Sequence, residues 1–149
     1  MDQHRQRAQF GIGVHLMMIS NARILLLRRS NTGFADGQWQ VPGGGLELGE
    51  SLTAAITREA KEEVGTLIAE HDLTFAHACQ HRDPDGLDRL GMFFATSVWN
   101  GIPCNAEPHK ASAIDWFPLN QLPRDMVGYG RQAIEQHLAG STFSQYNLE

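Results

Sequence analysis

The chain has little cysteine: Cys79 and Cys104 are the only two among its 149 residues. Two cysteines are too few for a disulfide framework, and these two lie too far apart for a close-spaced zinc motif. They are expected to be small core residues of a protein in a reducing compartment, the cytoplasm. No apolar run approaches the roughly 20 residues of a membrane span, and the opening "MDQHRQRAQF" lacks the apolar stretch of a signal peptide. No membrane association is therefore expected.

The chain also lacks an excess of positive charge. It carries 12 Lys and Arg against 17 Asp and Glu, for a formal net charge of −5. A partner such as duplex DNA or RNA requires a concentrated basic face, so a nucleic acid polymer is not expected. Repeats and low-complexity tracts are absent as well, and 149 residues of 42% hydrophobic content can form one core. The sequence predicts a single domain, 1–149, whose ligand can still be a small anion.

The first half of the sequence predicts strands, then a helix. "FGIGVHLMMIS" and "RILLLRRS" are apolar and β-branched, and residues 20–22 between them fit a hairpin turn. "NTGFADGQW" is typical of a loop, and "WQVPGGGLEL" predicts a short strand interrupted by Pro42. A helix is predicted at about 52–64, with Ser51 as its N-cap and Gly65 in the left-handed conformation beyond its end.

The second half repeats this order. "LTFAHACQH" and "RLGMFFATSVW" predict a hairpin around the turn at residues 84–86, and "AIDWFP" predicts a last short strand. Residues 123–139 have helical spacing at Met126, Ala133, Ile134 and Leu138 and end at Gly140. Strands, a helix, strands and a helix indicate an α/β (α+β) fold with a mixed sheet sandwiched between helices.

The helix at 52–64 carries three glutamates that repel one another. Glu62 and Glu63 fall within about 60° of Glu59 around the helix axis, and like charges three or four residues apart cost roughly 0.2–0.5 kcal/mol per pair. One interpretation is a solvated acidic face. The other is a cation site, because carboxylates and the backbone carbonyls of the glycine run at 43–45 are the oxygen ligands that Mg²⁺ prefers.

Residues 44–66, "GGLELGESLTAAITREAKEEVGT", resemble the Nudix box. The seven invariant positions of that box are filled at the right spacing by Gly44, Glu50, Arg58, Glu59, Glu62, Glu63 and Gly65. One departure is Thr66, where the family usually has an aliphatic residue. The resemblance extends more weakly over "ILLLRRS" and "EPHKASAIDWFPLNQLP", which look like MutT-type nucleotide pyrophosphohydrolases.

This resemblance implies a Nudix fold and hydrolysis of a nucleoside diphosphate linked to another group, with Mg²⁺ or Mn²⁺. It implies that Glu59, Glu62, Glu63 and the Gly44 carbonyl are metal ligands. Glu62 or Glu63 is also implied to take the proton of the attacking water. Catalysis by such a site is consistent with the need to neutralise phosphate charge.

Four further residues in the box or elsewhere in the resemblance are candidates for supporting roles, and most of them have an alternative interpretation. Arg58 is expected to orient a neighbouring carboxylate. Glu50 is either an acid of the metal site or its support, or a favourable charge near a helix N-terminus. Glu107 is either an additional acid for metal or water or a surface loop residue. Of Arg28 and Arg29, which end a strand, the resemblance favours Arg29 as a phosphate ligand, and a solvated strand end is the alternative.

Several large side chains are candidates for the base pocket. The aromatic candidates for stacking are Phe34, Trp39, Trp116 and Tyr129, each with core packing as the alternative. The segment with Met126 and Tyr129 resembles the base-pocket side of MutT-type enzymes. His15 is expected to be a core or pocket-lining residue. No acid pair accompanies Met126, so tight binding of 8-oxoguanine is not expected.

Three functions follow from these observations. The first is a Mg²⁺-dependent pyrophosphohydrolase that converts a nucleoside triphosphate to a monophosphate and pyrophosphate. The second is a pyrophosphatase of nucleoside diphosphate sugars or dinucleotides such as ADP-ribose. The proline typical of ADP-ribose enzymes and the tyrosine typical of diadenosine polyphosphate hydrolases, each about fifteen residues beyond the box, are absent at that distance here. The third is a non-catalytic nucleotide sensor, which would usually have lost acids of the box. The expected partner is a small nucleotide, and a homodimer is one alternative for the assembly.

Overall fold

A computed structural model describes residues 5–149, which form a mixed β-sheet with an α-helix on each face. The strands are β1 (Gly11–Ser20), β2 (Arg23–Arg29), β3 (Trp39–Gln40), β4 (Gly43–Gly45), β5 (Thr74–Arg82), β6 (Asp88–Thr96), β7 (Ala111–Pro118) and β8 (Phe143–Tyr146). The helices are α1 (Leu52–Val64) and α2 (Gly128–Leu138), with a short 3₁₀ helix at Glu70–Asp72. The expected α+β sandwich is confirmed.

Long-range pairing determines the order of the strands. The main path is β3-β2-β1-β6-β5-β8, with β4 added to β1 and β7 added to β2. The pairs β1–β6 and β5–β8 are parallel, and the other pairs are antiparallel. The β1–β2 and β5–β6 hairpins lie where the sequence predicts them.

Both faces of the central strands are buried, which explains their continuous apolar sequence. In β1, Leu16 and Met18 pack with Ile56 of α1. Met17, between them, packs on the opposite face with Ile134 of α2. Burial of each such side chain contributes roughly 1.5–3 kcal/mol, so the two helices hold the sheet from both sides.

Helix α1 begins and ends where its local sequence predicts. The Ser51 hydroxyl accepts a hydrogen bond from the Ala54 N–H at 3.1 Å. Gly65 has φ +69° and donates its N–H to carbonyls of the last turn. These caps fix the position at which the glutamates of α1 meet β4.

Helix α2 is shorter than predicted. It begins at Gly128 instead of residue 123, because the preceding backbone pairs with β3. The Trp39 N–H donates to the Asp125 carbonyl at 2.7 Å, and the Val127 N–H donates to the Trp39 carbonyl at 2.9 Å. This extended pairing excludes a helical conformation there. Leu138 at the other end is half-exposed and does not join the core as its spacing predicted.

Three further predictions need correction. The stretch predicted as a short strand broken by Pro42 and the three glycines forms two strands, because the glycines themselves form β4, and β3 and β4 pair with different neighbours. The strand β8 follows α2, so "AIDWFP" in β7 is not the last strand. Cys79 is buried as expected, but Cys104 is exposed on the loop before β7. Within residues 5–149, neither helix is long and apolar enough to cross a membrane.

Candidate active site

A cleft of about 500 Å³ lies between β4, α1 and the loop before β7. We call it the acidic cleft because three carboxylates line it: Glu59, Glu63 and Glu107. Its other lining residues include Arg29, Gln40, Val41, Gly43, Gly44, Gly45, Asn105 and Lys110. The structure thus brings Glu107, from a distant loop, to two glutamates of the box.

The glycines of β4 let α1 approach the strand closely. A Cβ on Gly44 would overlap the carboxylate of Glu59. The neighbouring Gly43 N–H donates a hydrogen bond to Glu63 Oε2 at 3.1 Å. Only glycine leaves room for a carboxylate against the backbone at position 44, so β4 and α1 together form one wall of the cleft.

Arg58 donates hydrogen bonds to two carboxylates beside the cleft. Its Nε and Nη2 donate to the two oxygens of Glu50 at 2.8 and 3.0 Å, and Nη1 donates to Glu59 Oε1 at 2.7 Å. Nη2 also donates to the Gly45 carbonyl at 3.2 Å. The hydrogen bond with Arg58 lowers the pKa of Glu50. Both Glu50 oxygens are therefore occupied, which favours the supporting role over metal ligation.

Glu62 departs from the predicted arrangement. Its side chain is 51% exposed, lies 3.5 Å from Arg58 Nη1 and does not line the acidic cleft. The reason is helical geometry: Glu62 and Glu63 are about 100° apart around the axis. Glu62 falls on the side of Arg58, and Glu63 falls on the side of the cleft. The expectation that all three glutamates of α1 converge on one point is therefore not met.

The partly buried carboxylates of the cleft suit a divalent cation. Burial raises the pKa of Glu63 well above its usual range, and the negative charges of Glu59 and Glu107 raise it further. Among residues 5–149, no three metal-binding side chains are already gathered at ligand distances. The oxygen-only donors and the mutual repulsion nevertheless fit Mg²⁺ or Mn²⁺, which would replace repulsion by attraction.

The loop before β7 is fastened to α1 and positions Glu107. The Ala106 N–H donates to the Glu63 carbonyl at 3.0 Å, and Asn105 Nδ2 donates to the Ala111 carbonyl at 2.7 Å. Lys110 Nζ lies 3.6 Å from Glu107 Oε2. A carboxylate and a cation of this loop thus reach the acidic cleft.

A second, larger cleft of about 920 Å³ adjoins the first. We call it the aromatic cleft because its lining includes rings of His15, Phe34, His81, Tyr129 and Tyr146. The rings of His81 and Tyr129 stack with centroids 3.7 Å apart. The residues that line both clefts are Arg29, Gln40, Val41, Gly43, Gly44 and Gly45. One elongated ligand can therefore occupy both clefts along β4.

Arg29 lies at the junction of the clefts but holds a loop. Its Nε donates to the Phe34 carbonyl at 2.8 Å, and its Nη2 donates to Thr32 Oγ1 at 3.1 Å. Its guanidinium also lies 5.4 Å from the centre of the Phe34 ring. Arg29 thereby keeps Phe34 at the aromatic cleft. Arg28 is exposed and donates to the Gly37 carbonyl at 3.0 Å.

Three predicted base-pocket residues lie in the core instead. Trp116 stacks on Trp99 at 5.9 Å and packs against the α1 side of the sheet. Met126 and Trp39 belong to the cluster around α2, where Trp39 contacts Phe117. Within the described chain, none of the three lines either cleft, so their positions favour core packing over base stacking.

Gln40 and His81 were not selected in the sequence analysis, although both line the aromatic cleft. Gln40 lies three residues before the glycine run at 43–45, and this closeness to the predicted site was the signal that could have identified it. His81 lies at the end of β5 and carried no signal, because the stacking on Tyr129 depends on packing between distant elements.

Comparisons with known proteins agree with this architecture. The profile of the NUDIX domain matches residues 9–137. An ADP-ribose pyrophosphatase of Methanocaldococcus jannaschii is 33% identical over 102 residues, which are 68% of this chain and 58% of that protein. The chain therefore spans less than two thirds of the length of that relative. An 8-oxo-dGTP diphosphatase of Escherichia coli is 28% identical over 114 residues, covering 76% of this chain and 84% of the relative.

Among solved structures, a MutT NUDIX hydrolase from Burkholderia pseudomallei superposes with a TM-score of 0.80 at 29% identity. That match covers 86% of this chain and 98% of the other. The family profile spans α1 with all the carboxylates around Arg58, and the likeness in fold extends over both faces of the sheet. On this evidence, the chain belongs to the NUDIX domain family.

Proposed function

We propose that this Nudix hydrolase is a pyrophosphohydrolase that converts a nucleoside triphosphate to a nucleoside monophosphate and pyrophosphate, with Mg²⁺ or Mn²⁺. The observation that carries the proposal is the junction of the two clefts. Carboxylates suited to a cation line one cleft, aromatic rings line the other, and the glycine backbone of β4 is common to both. A nucleotide has the matching division into phosphates and a flat base.

The proposed roles follow from position. Glu59 and Glu63 hold the cation with the Gly44 carbonyl, and Glu107 is a further candidate ligand. A divalent cation in this cleft supplies charge neutralisation for the phosphates and a water of lowered pKa. Glu63 is a better candidate than Glu62 for the proton of the attacking water, because it lines the cleft. Arg58 and Glu50 hold the Glu59 carboxylate in place.

Lys110 and Arg29 are the cationic side chains that line the acidic cleft. Lys110 carries a compact charge that can follow a phosphate oxygen. Arg29 already has two hydrogen bonds to the loop, so its share in phosphate binding is expected to be smaller than the sequence resemblance implied. Free nucleotides are cytoplasmic, and the proposal assigns the chain to that compartment. A homodimer stays a prediction, checked by light scattering after size exclusion.

Hydrolysis of ADP-ribose is the second candidate, and a specific observation favours it. The Methanocaldococcus relative bears the name ADP-ribose pyrophosphatase at 33% identity. The joined clefts could also hold a diphosphate between two ribosyl groups. We rank it second because the open path along β4 leads from the acidic cleft into one aromatic cleft, which suits a single base.

A substrate panel tests the proposal. Purified protein is given each common (d)NTP and ADP-ribose with Mg²⁺, and release of pyrophosphate or phosphate is measured with and without excess chelator. We expect pyrophosphate from at least one triphosphate and none in chelator. A kcat/KM for ADP-ribose tenfold above that for every triphosphate, about 1.4 kcal/mol of transition-state preference, would instead select the second candidate.

A further inference from the structure

The floor of the aromatic cleft is a histidine ring held among glycines. Methyl groups added at Gly13 and Gly43 would lie 3.0 Å from the two ring nitrogens of His15, and one at Gly91 would lie 3.4 Å from its Cδ2. The ring also stacks on Phe93 with centroids 4.6 Å apart. Three strands thus leave room for an imidazole that both packs in the core and lines the cleft.

The two nitrogens of this ring differ. Among residues 5–149, the buried Nδ1 has no hydrogen-bond partner, whereas Nε2 lies beside Gly13 on the side of the cleft. Burial lowers the pKa of His15 to about 3, so the ring is neutral at physiological pH. An unpaired lone pair in a protein interior costs less than an unpaired N–H. The proton is therefore assigned to Nε2, which can donate it into the cleft.

Tyr129 offers a second donor next to His15. Their rings meet edge to face at 5.6 Å, and burial raises the pKa of Tyr129 to about 12. The Gln40 Oε1 accepts the Val41 N–H at 3.0 Å, which fixes the orientation of its amide. Gln40 Nε2 then lies near the Tyr129 oxygen, although in the described chain it reaches no partner in normal hydrogen-bond geometry. Because Nε2 is itself a donor, the proton of the Tyr129 hydroxyl points away from Gln40.

The carboxylates around the aromatic cleft already have donors. Asp83 accepts from Arg89 Nε at 2.8 Å and lies 3.7 Å from His81 Nδ1. Asp85 Oδ1 accepts the Leu87 N–H at 3.1 Å. The groups at the floor are the His15 N–H and the Tyr129 hydroxyl, and when both donate they match a ligand edge that carries acceptors.

We propose that His15 and Tyr129 form a base-reading pair that selects a purine with a carbonyl oxygen at C6 and an unprotonated N7, that is, guanine or hypoxanthine, over adenine. Guanine presents two acceptors, O6 and N7, whereas adenine presents the N6 amino donor beside N7. The inference rests on the proposed function, because it assumes a nucleotide with its base in the aromatic cleft. The pair should also discriminate against oxidised guanine, because the N7 of that base carries a hydrogen and cannot accept.

Binding of monophosphates tests this without any hydrolysis. Titration calorimetry with Mg²⁺ measures the affinities of GMP, IMP, AMP and 8-oxo-GMP for the full chain and for three variants. Tyr129→Phe removes one hydroxyl, and His15→Leu removes the second donor. Tyr146→Phe is the matched control, because it removes another hydroxyl that lines the same cleft. Thermal unfolding of each variant verifies that it is folded.

We expect GMP and IMP to bind about tenfold more tightly than AMP, and 8-oxo-GMP to bind more weakly than GMP. Tyr129→Phe or His15→Leu should reduce the GMP preference to about twofold or less, while Tyr146→Phe should retain it. The proposal would be overturned if AMP bound as tightly as GMP or more tightly, or if 8-oxo-GMP bound more tightly than GMP. It would also be overturned by a GMP preference that is unchanged in both variants, or by no binding of any monophosphate up to about 1 mM. A chain that prefers GMP yet hydrolyses no triphosphate would refute only the proposed function.

Discussion

Arg58 shows how one residue can serve a site from outside it. Its guanidinium holds both oxygens of Glu50 and one oxygen of Glu59, and it does not line the acidic cleft. The planar fork of arginine suits such a paired contact, which lysine cannot reproduce. Its contribution to catalysis is therefore expected to pass through the Glu59 carboxylate.

Replacing Glu50 separates support from metal binding. In Glu50→Gln, Arg58 loses a charged partner and Glu59 is held less firmly, so kcat should fall about tenfold. The Mg²⁺ concentration for half-maximal rate should change little, because Arg58 holds both oxygens of Glu50. The control is Glu135→Gln, which removes the carboxylate of an exposed pair with Arg131. A large shift of the Mg²⁺ requirement in Glu50→Gln would assign Glu50 to the metal.

Glu63 is expected to lower the stability of the metal-free protein and to be required for activity. Because burial and Glu59 raise its pKa in the folded protein, the unfolded chain loses that proton first as pH rises. Without metal, stability therefore falls as pH rises above the ordinary glutamate range. Glu63→Gln should remove this slope, melt no lower than the wild type in chelator at neutral pH, and lose activity by orders of magnitude. Melting curves across pH and initial rates measure both effects, and a variant that unfolds would contradict the assignment.

At the level of elements, the contact between β4 and α1 sets the geometry of the acidic cleft. Adjacent glycines of β4 allow a matched comparison, because a Cβ on Gly44 would overlap the Glu59 carboxylate while a Cβ on Gly45 meets nothing within 4 Å. We expect Gly44→Ala to lower kcat/KM at least tenfold by displacing Glu59, and Gly45→Ala to stay close to the wild type. Equal losses in both variants would show that the close approach is not what matters.

Elements with local signals could be predicted from the sequence, and those fixed by distant pairing could not. Helix α1 has its own caps in Ser51 and Gly65, so its limits follow from about fifteen residues. Helix α2 lost its predicted first turns because Asp125 and Val127 pair with Trp39. Strand β8 is short and polar, and its partner β5 lies far away along the chain. None of these pairings leaves a periodic pattern in the sequence.

The same distinction applies to the candidate site. The spacing of the box identified Glu59 and Glu63, which the structure brings to one cleft. It could not distinguish Glu63 from Glu62, since the decision depends on which side of α1 faces β4. Met126 and Trp116 were assigned by sequence position, and packing directs both into the core.

Stability at acidic pH is a property of the whole molecule, and His15 should account for most of the stability lost between pH 7 and pH 5. Burial lowers the pKa of His15 from 6.5 to about 3 and lowers that of His81 as well. The unfolded chain therefore binds these protons first as pH falls below 6.5, and stability is lost. His15 alone should cost about 2 kcal/mol between pH 7 and pH 5. Urea unfolding in chelator measures the loss, in the Glu63→Gln background because Glu63 acts in the opposite direction.

The control for this prediction is the double variant Glu63→Gln with His15→Gln. It should lose clearly less stability than Glu63→Gln alone between the same two pH values, with His81 as the remaining contributor. An identical loss with and without His15 would contradict a neutral, buried imidazole at that position.

The parallel pairing of β1 with β6 should slow the folding of the chain. It joins Gly11 to Arg89 and Met18 to Thr96, so the centre of the sheet cannot close until a long intervening segment has been brought back to the first strand. Such closure costs entropy before any contact compensates for it. Refolding should therefore take milliseconds to seconds, in the range of proteins with distant pairings. During that interval β1 has an unpaired, apolar edge, and the risk of aggregation is greatest then.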